Sequence, residues 1–343
     1  MSDPVAQLAQ TVAETAAFVR GEGSFGVPIL ERPKKAGFGD YSTNAAMLLA
    51  PALGAPPREI AQQLGSALEE RLGGAVDGVE VAGPGFLNLT MSDSWCCVAV
   101  AGVLAAGETY GAGGVGEGES VNVEFVSANP TGPITVAAGR HAAYGDALCR
   151  ILDFAGHDVD REYYVNDHGG QIQRFAESIR ARAKGEEPPG DGYQGKYVTD
   201  IATGIDGASG LEEAELARAG VEAMLEGVRG TLERFRVHMD RFSRESESHA
   251  SGAVAAVLGR LEEREHVYPH EGAVWLRSTT FGDDKDRVLM RSNGEMTYFA
   301  ADIAYHETKR DRGYDRVIDV LGADHHGYVG RMLAAWQALG AAP

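Results

Sequence analysis

The sequence predicts an α/β protein with a mainly parallel sheet, preceded by a smaller α+β domain. From residue 119 onward, short apolar segments typical of buried strands alternate with helical segments. The first apolar segment, residues 121–126, leads through a turn with two prolines into a helix. Six glycines within residues 107–118 separate this part from a beginning that combines helices with a hairpin pattern.

The first domain is expected over residues 1–110. An apolar stripe predicts an opening helix over residues 5–20, and a proline at position 57 suits the first turn of a later helix. Two strand-like segments flank Gly83-Pro84-Gly85, a sequence typical of a sharp reversal. A helix over residues 92–104 closes the domain, and we expect its adjacent Cys96 and Cys97 to pack as small residues without a chemical role.

The second domain is expected over residues 119–343, with a mostly helical insertion at about 184–270. Strands are predicted at residues 121–126, 159–165 and 317–321, with further candidates at 273–277 and 287–291. Ligands of parallel α/β sheets bind beyond the carboxyl ends of the strands. Three polar clusters follow strands, at residues 127–131, 166–171 and 322–327, and we expect them to share one edge.

Composition limits the function classes. Of the 343 residues, 44% are hydrophobic and 24% are charged, as in a globular protein of two or three domains. The net charge of −19 argues against a protein that coats nucleic acid indiscriminately. No segment is long and apolar enough for a membrane span, and the acidic N-terminus does not resemble a signal peptide. We therefore expect a cytoplasmic protein without a membrane partner.

Residues 127–135 connect the first strand of the second domain to a helix. Backbone N–H groups and the helix dipole at such a junction favour an anion, although an ordinary strand-to-helix connection has the same pattern. Asp324, His325 and His326 follow another strand. Adjacent histidines on an extended segment face opposite sides, so we favour a nucleotide site there and assign no metal ligands.

Two features predict a site for a cation. Tyr298 and Asp302 are four residues apart at the start of a predicted helix, which places them on one face, although an exposed acid at a helix start has the same pattern. Glu124 lies within an apolar strand, where an unpaired carboxylate is unfavourable. Glu124 therefore needs a donor or basic partner, which is either a protein group or a ligand.

Seven segments of the chain together resemble the bacterial arginyl-tRNA synthetases, which are class I aminoacyl-tRNA ligases. Each segment alone is weakly specific, but their order and spacing are specific. The segments are FGDYSTN (38–44), VAGPGFLN (81–88), VEFVSANPTGP (123–133), REYYVNDHGGQ (161–171), FGDDKDRV (281–288), TYFAADIAYH (297–306) and LGADHHGY (321–328).

The resemblance implies a tRNA-elbow-binding domain followed by a Rossmann-type catalytic domain that is incomplete. It implies that arginine and ATP form an arginyl adenylate, whose aminoacyl group passes to the terminal adenosine of arginine tRNA in protein biosynthesis. ATP with Mg²⁺ is then the nucleotide substrate, no cofactor is tightly bound, and the protein is expected to be a monomer.

The resemblance also implies residue roles by position. Arginine binding falls to Glu124, Asn129, Tyr298 and Asp302. ATP binding falls to Pro133, Ala138, Gly139, Gly322, Asp324 and His325. Contacts with tRNA fall to Phe38, Asp40, Tyr41 and Asn44. A planar guanidinium suits carboxylate partners, and lysine cannot form the same bidentate contacts.

One departure concerns the His-x-Gly-His signature of the family, which contacts the ATP phosphates. Here the aligned residues are Thr135, Val136, Ala137 and Ala138. Loss of one preorganised donor raises a barrier by roughly 3–4 kcal/mol. We assign the catalytic positions to Thr135, whose hydroxyl remains, and to His141, which follows Ala138 by about one helical turn.

A second departure is that the family's Lys-Met-Ser-Lys-type loop and anticodon-binding domain do not follow within the sequence. We expect a portion of a longer ligase rather than a short relative. Two alternatives stay open at this point. One is a catalytically silent paralogue that binds arginine with ATP, or tRNA, and the other is a ligase that uses a different acceptor.

Overall fold

A computed structural model describes residues 3–34, 36–115 and 118–341 of the chain, with the side chain of Asp324 outside the described part. The chain divides into two compact units, Met1–Ala112 and Gly113–Pro343. The division falls inside the predicted glycine-rich separator. Each unit has its own sheet and its own core.

The first unit combines helices with one antiparallel sheet of order β1-β2-β4-β3. The predicted hairpin is confirmed as β3 and β4. The helices are α1 (Pro4–Arg20), α2 (Ala45–Leu53), α3 (Pro57–Leu72) and α4 (Asp93–Ala106), and the strands are β1 (Leu30–Glu31), β2 (Tyr41–Thr43), β3 (Val76–Ala82) and β4 (Phe86–Met91).

The core of the first unit forms between α1, α2, α3 and β4. Val12 and Ala16 of α1 are buried beside Leu64 of α3 and Leu87 of β4, as the apolar stripes predict. The expectation for α4 is wrong, because Cys96 and Cys97 are both exposed. The helix forms as predicted, but none of its side chains is buried. The sequence pattern therefore predicted the helix correctly but not the exposure of its side chains.

The second unit is built on a four-stranded sheet of order β11-β5-β6-β7 in which every pair is parallel, which confirms the predicted fold class. Its strands are β5 (Ser120–Glu124), β6 (Asp158–Val165), β7 (Arg241–Arg244) and β11 (Arg316–Asp319). The helices up to β7 are α5 (Val136–Phe154), α6 (Gly170–Ala183), α7 (Lys196–Gly204) and α8 (Glu213–Arg234). β7 lies within the stretch expected to be mostly helical.

A second sheet of the same unit is antiparallel and has the order β10-β9-β8. The two candidate strands near residues 273 and 287 belong to this sheet. Its strands are β8 (Val267–His270), β9 (Ala273–Leu276) and β10 (Arg287–Met290). The remaining helices are α9 (Glu245–Ala250), α10 (Ala253–Glu263), α11 (Tyr298–Asp311) and α12 (His326–Ala338). The helices α10, α11 and α12 share a core with this sheet.

The contact between α5 and the parallel sheet is unusually close at Gly145. A Cβ atom at this position would lie 2.2 Å from Cγ of Phe125, which follows β5 and is fully buried. Only glycine permits this distance, so Gly145 sets how near α5 lies to the sheet. Among the described residues, none of the helices combines the length and apolarity of a transmembrane span.

Candidate functional site

The carboxyl ends of β11, β5 and β6 lie side by side. Asp319 of β11 is in register with Glu124 of β5, and Glu124 is in register with Glu162 of β6. All three strands run in the same direction, so the segments that follow them begin at one edge of the sheet. The three predicted polar clusters therefore share an edge, as expected.

An ion cluster links this edge to α11. The Lys309 ammonium lies 2.6 Å from Oε2 of Glu124 and 2.7 Å from Oδ1 of Asp319, and its side chain is fully buried. His306 Nε2 lies 2.7 Å from the other oxygen of Asp319. The second oxygen of Glu124 accepts a hydrogen bond of 2.8 Å from Ser127. Glu124 therefore has two protein partners, the Lys309 ammonium and the Ser127 hydroxyl.

Mutual stabilisation sets the charge states in this cluster. Burial alone would lower the pKa of Lys309, but the carboxylates of Glu124 and Asp319 raise that pKa above its ordinary value. Burial would raise the pKa of Asp319, but Lys309 and His306 hold that pKa well below its usual range. Burial would lower the pKa of His306, and the facing Asp319 carboxylate raises it. The neighbours of Lys309, Asp319 and His306 therefore favour the charged form of each of these three groups.

Tyr298 and Asp302 lie on the first turns of α11, as the sequence predicts. Thr297 caps this helix, because its hydroxyl accepts a hydrogen bond from the Ala300 amide at 3.3 Å. Tyr298 is 57% exposed, whereas Asp302 is largely covered and accepts a hydrogen bond from the Tyr328 hydroxyl. Burial raises the pKa of Asp302, and the nearby Glu124 carboxylate adds to the increase. A bound cation would relieve this repulsion.

A cavity of about 470 Å³ opens beside Tyr298. Gly169, with a φ of 90°, approaches Tyr298 so closely that a Cβ atom there would lie 2.9 Å from the phenol oxygen. The glycine after His168 therefore has a positional role. The cavity is lined by residues from three segments, namely 168–170, 245 with 249, and 291 with 295–298 and 301.

The loop between β5 and α5 carries Asn129 and Pro133, both exposed. Val126 and Ser127 adopt positive φ values of 70° and 39° at its start. Two tyrosines hold the loop. Tyr163 donates a hydrogen bond of 2.7 Å to the Ala128 carbonyl, and Tyr197 donates one of 2.8 Å to the Thr131 carbonyl. The loop is therefore positioned by residues outside it.

The N-terminus of α5 carries the positions aligned with the family signature. Thr135 is the N-cap, and its hydroxyl accepts a hydrogen bond of 3.3 Å from the Ala138 amide. Ala138 is buried, Gly139 is partly covered, and His141 is half-buried in the next turn. The structure thus keeps a helix N-terminus at this end of the site, with the Thr135 hydroxyl engaged in capping.

The backbone of the segment after β11 is not extended as the sequence analysis assumed. Residues 323–325 form a single 3₁₀ turn after Gly322 and lead directly into α12, so the assumption of an extended segment at His325 and His326 is wrong. The physical reason is that the His325 amide bonds to the Gly322 carbonyl at 2.9 Å, which closes the turn. Asp324 lies in this turn, and its side chain is outside the described part of the structure.

The four residues expected to contact tRNA lie around β2 in the first unit. Asp40 accepts a hydrogen bond of 2.8 Å from the Met91 amide, and Asn44 accepts one of 2.9 Å from the Ile29 amide. Tyr41 is buried and meets Trp95 edge to face at 6.0 Å. Phe38 is 45% exposed. Three of the four therefore support the fold of this region, and Phe38 presents an aromatic surface.

The structure also brings together residues to which the sequence assigned no role. His168, in the segment after β6, lies with Glu245 and His249 of α9. Burial raises the pKa of Glu245 to about 7, and the charge of Asp302 contributes in the same direction. Glu245 and His249 are four residues apart on one helix, a spacing visible in the sequence, but only the sheet order places them beside His168.

The sequence of this chain is similar to those of arginyl-tRNA synthetases. The pattern of the family described as the arginyl tRNA synthetase N terminal domain matches residues 6–91. An arginine–tRNA ligase of Frankia alni is 48% identical over 322 residues, which are 92% of this chain and 58% of that protein. An arginine–tRNA ligase of Kineococcus radiotolerans is 47% identical over the same shares of both chains.

Solved structures show the same fold. An arginyl-tRNA synthetase of Thermus thermophilus superposes with a TM-score of 0.67 and 24% identity, covering 98% of this chain and 63% of that one. A Campylobacter jejuni protein with a provisional arginyl-tRNA synthetase assignment has a TM-score of 0.68 and 36% identity, covering 73% of this chain and 58% of that one.

The parallel sheet and the preceding α+β unit define a Rossmann-type α/β protein with an additional N-terminal domain. Within that class, the sequence matches show that the chain belongs to the arginyl-tRNA synthetase family. It spans 58% of the length of the two curated relatives described above.

Proposed function

We propose that this chain acts in arginine–tRNA ligation. It binds arginine and ATP at the carboxyl edge of the parallel sheet, forms arginyl adenylate, and supports transfer to the terminal adenosine of arginine tRNA. The chain would act in the cytoplasm as a monomer, and its nucleotide substrate would be ATP with bound Mg²⁺.

One observation carries the proposal, namely the carboxylate pair of Glu124 and Asp302. Asp302 is covered, lies near Glu124 and has a raised pKa, so the site favours an additional positive charge. Lys309 already balances Glu124 and Asp319. Within the described part of the chain, the side-chain hydrogen-bond partner of Asp302 is the neutral Tyr328 hydroxyl, and the charges of His306 and Arg331 act on Asp302 without such a bond. A bound guanidinium would add a positive charge in direct contact, because it can bond to a carboxylate through two parallel N–H groups.

Tyr298 and Asn129 complete the proposed arginine site. Tyr298 is on the same face of α11 as Asp302 and borders the cavity of about 470 Å³. Asn129 is exposed on the loop after β5, from which its amide is available to the polar end of an amino acid. The cavity exceeds the lower limit for small-molecule sites, roughly 300 Å³.

ATP is proposed to bind between the start of α5 and the turn after β11. Pro133, Ala138 and Gly139 are at the first of these, and Gly322, Asp324 and His325 are at the second. Backbone N–H groups at the start of α5 favour phosphate, and the side chains of Thr135 and His141 can donate hydrogen bonds to it. Phe38 is proposed to stack on a nucleotide of tRNA, with Asp40, Tyr41 and Asn44 holding its loop.

Calorimetry with arginine tests the amino-acid site. Asp302→Asn should weaken arginine binding by at least about thirtyfold, as expected for loss of one partner of a covered charge pair worth roughly 2 kcal/mol or more. Asp311→Asn is the matched control, because Asp311 ends the same helix and is exposed. Lysine should bind weakly to the unmodified protein. Equal affinities for arginine in both variants would remove Asp302 from the site.

Pyrophosphate exchange tests the reaction. With arginine, ATP and arginine tRNA present, the full-length protein should catalyse exchange that depends on arginine. Absence of exchange with arginine binding intact would show that the protein binds its substrates without activating them. Absence of arginine binding would contradict the whole proposal.

A further inference from the structure

His168, Glu245 and His249 form a cluster for which the proposed ligation has no use. Each offers one ligand atom, and these atoms all lie within 4.8 Å of one another. Two imidazoles and one carboxylate are the ligand set that zinc and related divalent transition ions prefer. We propose that these three side chains bind a divalent transition metal ion of the zinc type.

Two features of the fold bring the three ligands together. Parallel pairing of β6 with β7 places the segment after Val165 beside the segment after Arg244. Asp167 then fixes the start of α9, because its carboxylate accepts hydrogen bonds of 2.8 Å from both the amide and the hydroxyl of Ser246. Glu245 and His249 consequently project from one face of a helix whose position is set by the residue next to His168.

The distances fit a metal ion after a small adjustment. Metal–ligand bonds of about 2.0–2.2 Å place two ligands of a tetrahedral zinc ion roughly 3.4 Å apart. His249 Nε2 and Glu245 Oε1 are 3.6 Å apart, which already matches this separation. The His168 ring is exposed and stacks on the His249 ring at 4.4 Å, so it can close on an ion by rotation of its own side chain.

The surroundings of Glu245 resemble those of a metal ligand. Its side chain is 3% exposed, although it carries a carboxylate. When the Asn166 amide is oriented to satisfy its neighbours, the amide nitrogen donates a hydrogen bond of 2.7 Å to Oε2 of Glu245. The other carboxylate oxygen, Oε1, then faces His249. A donor that holds the second oxygen of a ligating carboxylate is typical of metal sites.

The cluster borders the cavity of about 470 Å³ beside Tyr298. Three protein ligands leave one position of a tetrahedral ion open, and here that position would face the cavity and take water or a ligand atom. The site is therefore distinct from the Glu124 and Asp302 carboxylates but adjoins the same opening.

Calorimetric titration of the metal-free chain with Zn²⁺ tests the proposal. Cys96 and Cys97 are exposed thiols that could bind zinc independently, so both are replaced by serine in every protein compared. One ion per chain is expected, with Kd in the micromolar range or tighter. His249→Ala and Glu245→Gln should each weaken binding at least tenfold, and Asn166→Ala should weaken it roughly 10–100-fold.

His270→Ala is the matched control, because His270 is in the same unit, is exposed and lies outside the cluster. Its Zn²⁺ affinity should equal that of the parent protein. Co²⁺ gives a second readout, since tetrahedral binding produces visible absorption that the His249→Ala variant should lose. Circular dichroism confirms that each variant is folded. Failure of the parent protein to bind Zn²⁺, or equal affinity in His249→Ala, would overturn the proposal, and arginine binding measured in parallel reports separately on the proposed function.

Discussion

The carboxyl edge of the sheet has two halves that differ in how their charges are balanced. On the α11 side, Glu124, Asp319, Lys309 and His306 form a covered ion cluster with matched partners. On the α5 side, Thr135 caps a helix whose neighbouring positions are valine and alanine. The difference shows that the proposed amino-acid half is built from side-chain charge, whereas the proposed phosphate half relies on backbone N–H groups.

The two halves are proposed to serve different purposes, the α11 half the binding of the amino acid and the α5 half the reaction with ATP. Side-chain charge selects a cationic amino acid before any reaction takes place. Stabilising a phosphoryl transition state needs donors aimed at the charge that develops there, and the two imidazoles of the family signature are missing from the start of α5. The two halves can therefore be tested independently.

The largest effect is expected from Lys309→Met, which removes the charge that balances the α11 half. Glu124 would remain covered without the Lys309 ammonium, and Asp319 would keep His306 but lose Lys309, so stability should fall by about 3–5 kcal/mol. Urea unfolding followed by circular dichroism measures the change. Lys196→Met is the control, since Lys196 is an exposed lysine paired with Asp200, and its loss should change stability by less than about 0.5 kcal/mol. Equal stability of both variants would show that the cluster is not balanced by Lys309.

The second prediction restores the missing donors to the α5 half. The triple change of Thr135→His, Ala137→Gly and Ala138→His should raise pyrophosphate exchange by roughly 10²–10³-fold for each imidazole that reaches the phosphates. Arginine affinity should stay unchanged, because the α11 half is untouched. Val136→His is the control, since Val136 is 85% exposed in the same turn. An unchanged exchange rate in the triple variant would show that the α5 half does not depend on imidazoles.

The third prediction concerns the support of the α5 half. Gly145→Ala forces a methyl group against Phe125 and should destabilise the protein by about 1–3 kcal/mol. Gly139→Ala, in the same helix, has nothing within 4 Å of the added atom and should be neutral or stabilising by up to about 1 kcal/mol. Thermal unfolding distinguishes the two variants. A stabilising Gly145→Ala would mean that α5 can move away from the sheet.

The smallest effect is expected from the pH dependence of the α11 half. The pKa of His306 is raised above its ordinary value of 6.5 by Asp319. Its contribution to stability is therefore fully present below pH 6.5 and is lost as the pH rises through the folded-state pKa. His306→Gln should consequently destabilise the protein more at pH 6 than at pH 9. Urea unfolding at both pH values measures this, and a pH-independent difference would contradict the assigned charge.

Much of the fold followed from the sequence because its signals were local. The turn after β5, the start of α11 at Tyr298 and the hairpin around Gly83-Pro84-Gly85 all depend on neighbouring residues, and the structure confirms each element. Parallel strand direction then placed the polar clusters on one edge without knowledge of tertiary contacts.

The remaining features depend on pairing between distant residues. Lys309 balances Glu124 across 185 positions, and no spacing rule indicates that a lysine near the end of α11 would be buried. The separate antiparallel sheet and the exposure of Cys96 likewise depend on which surfaces meet, which periodicity does not determine. The His168, Glu245 and His249 cluster was missed because it requires the order of β6 and β7.

The two phenols that hold the loop after β5 also influence its motion. Tyr163 and Tyr197 belong to different elements, and each bonds to a separate carbonyl of the loop. Local opening of the loop has to break both bonds together, so it becomes a rare and cooperative fluctuation. A bound ligand that tightens the edge of the sheet should then slow hydrogen exchange at the amides of Ala128, Asn129 and Thr131.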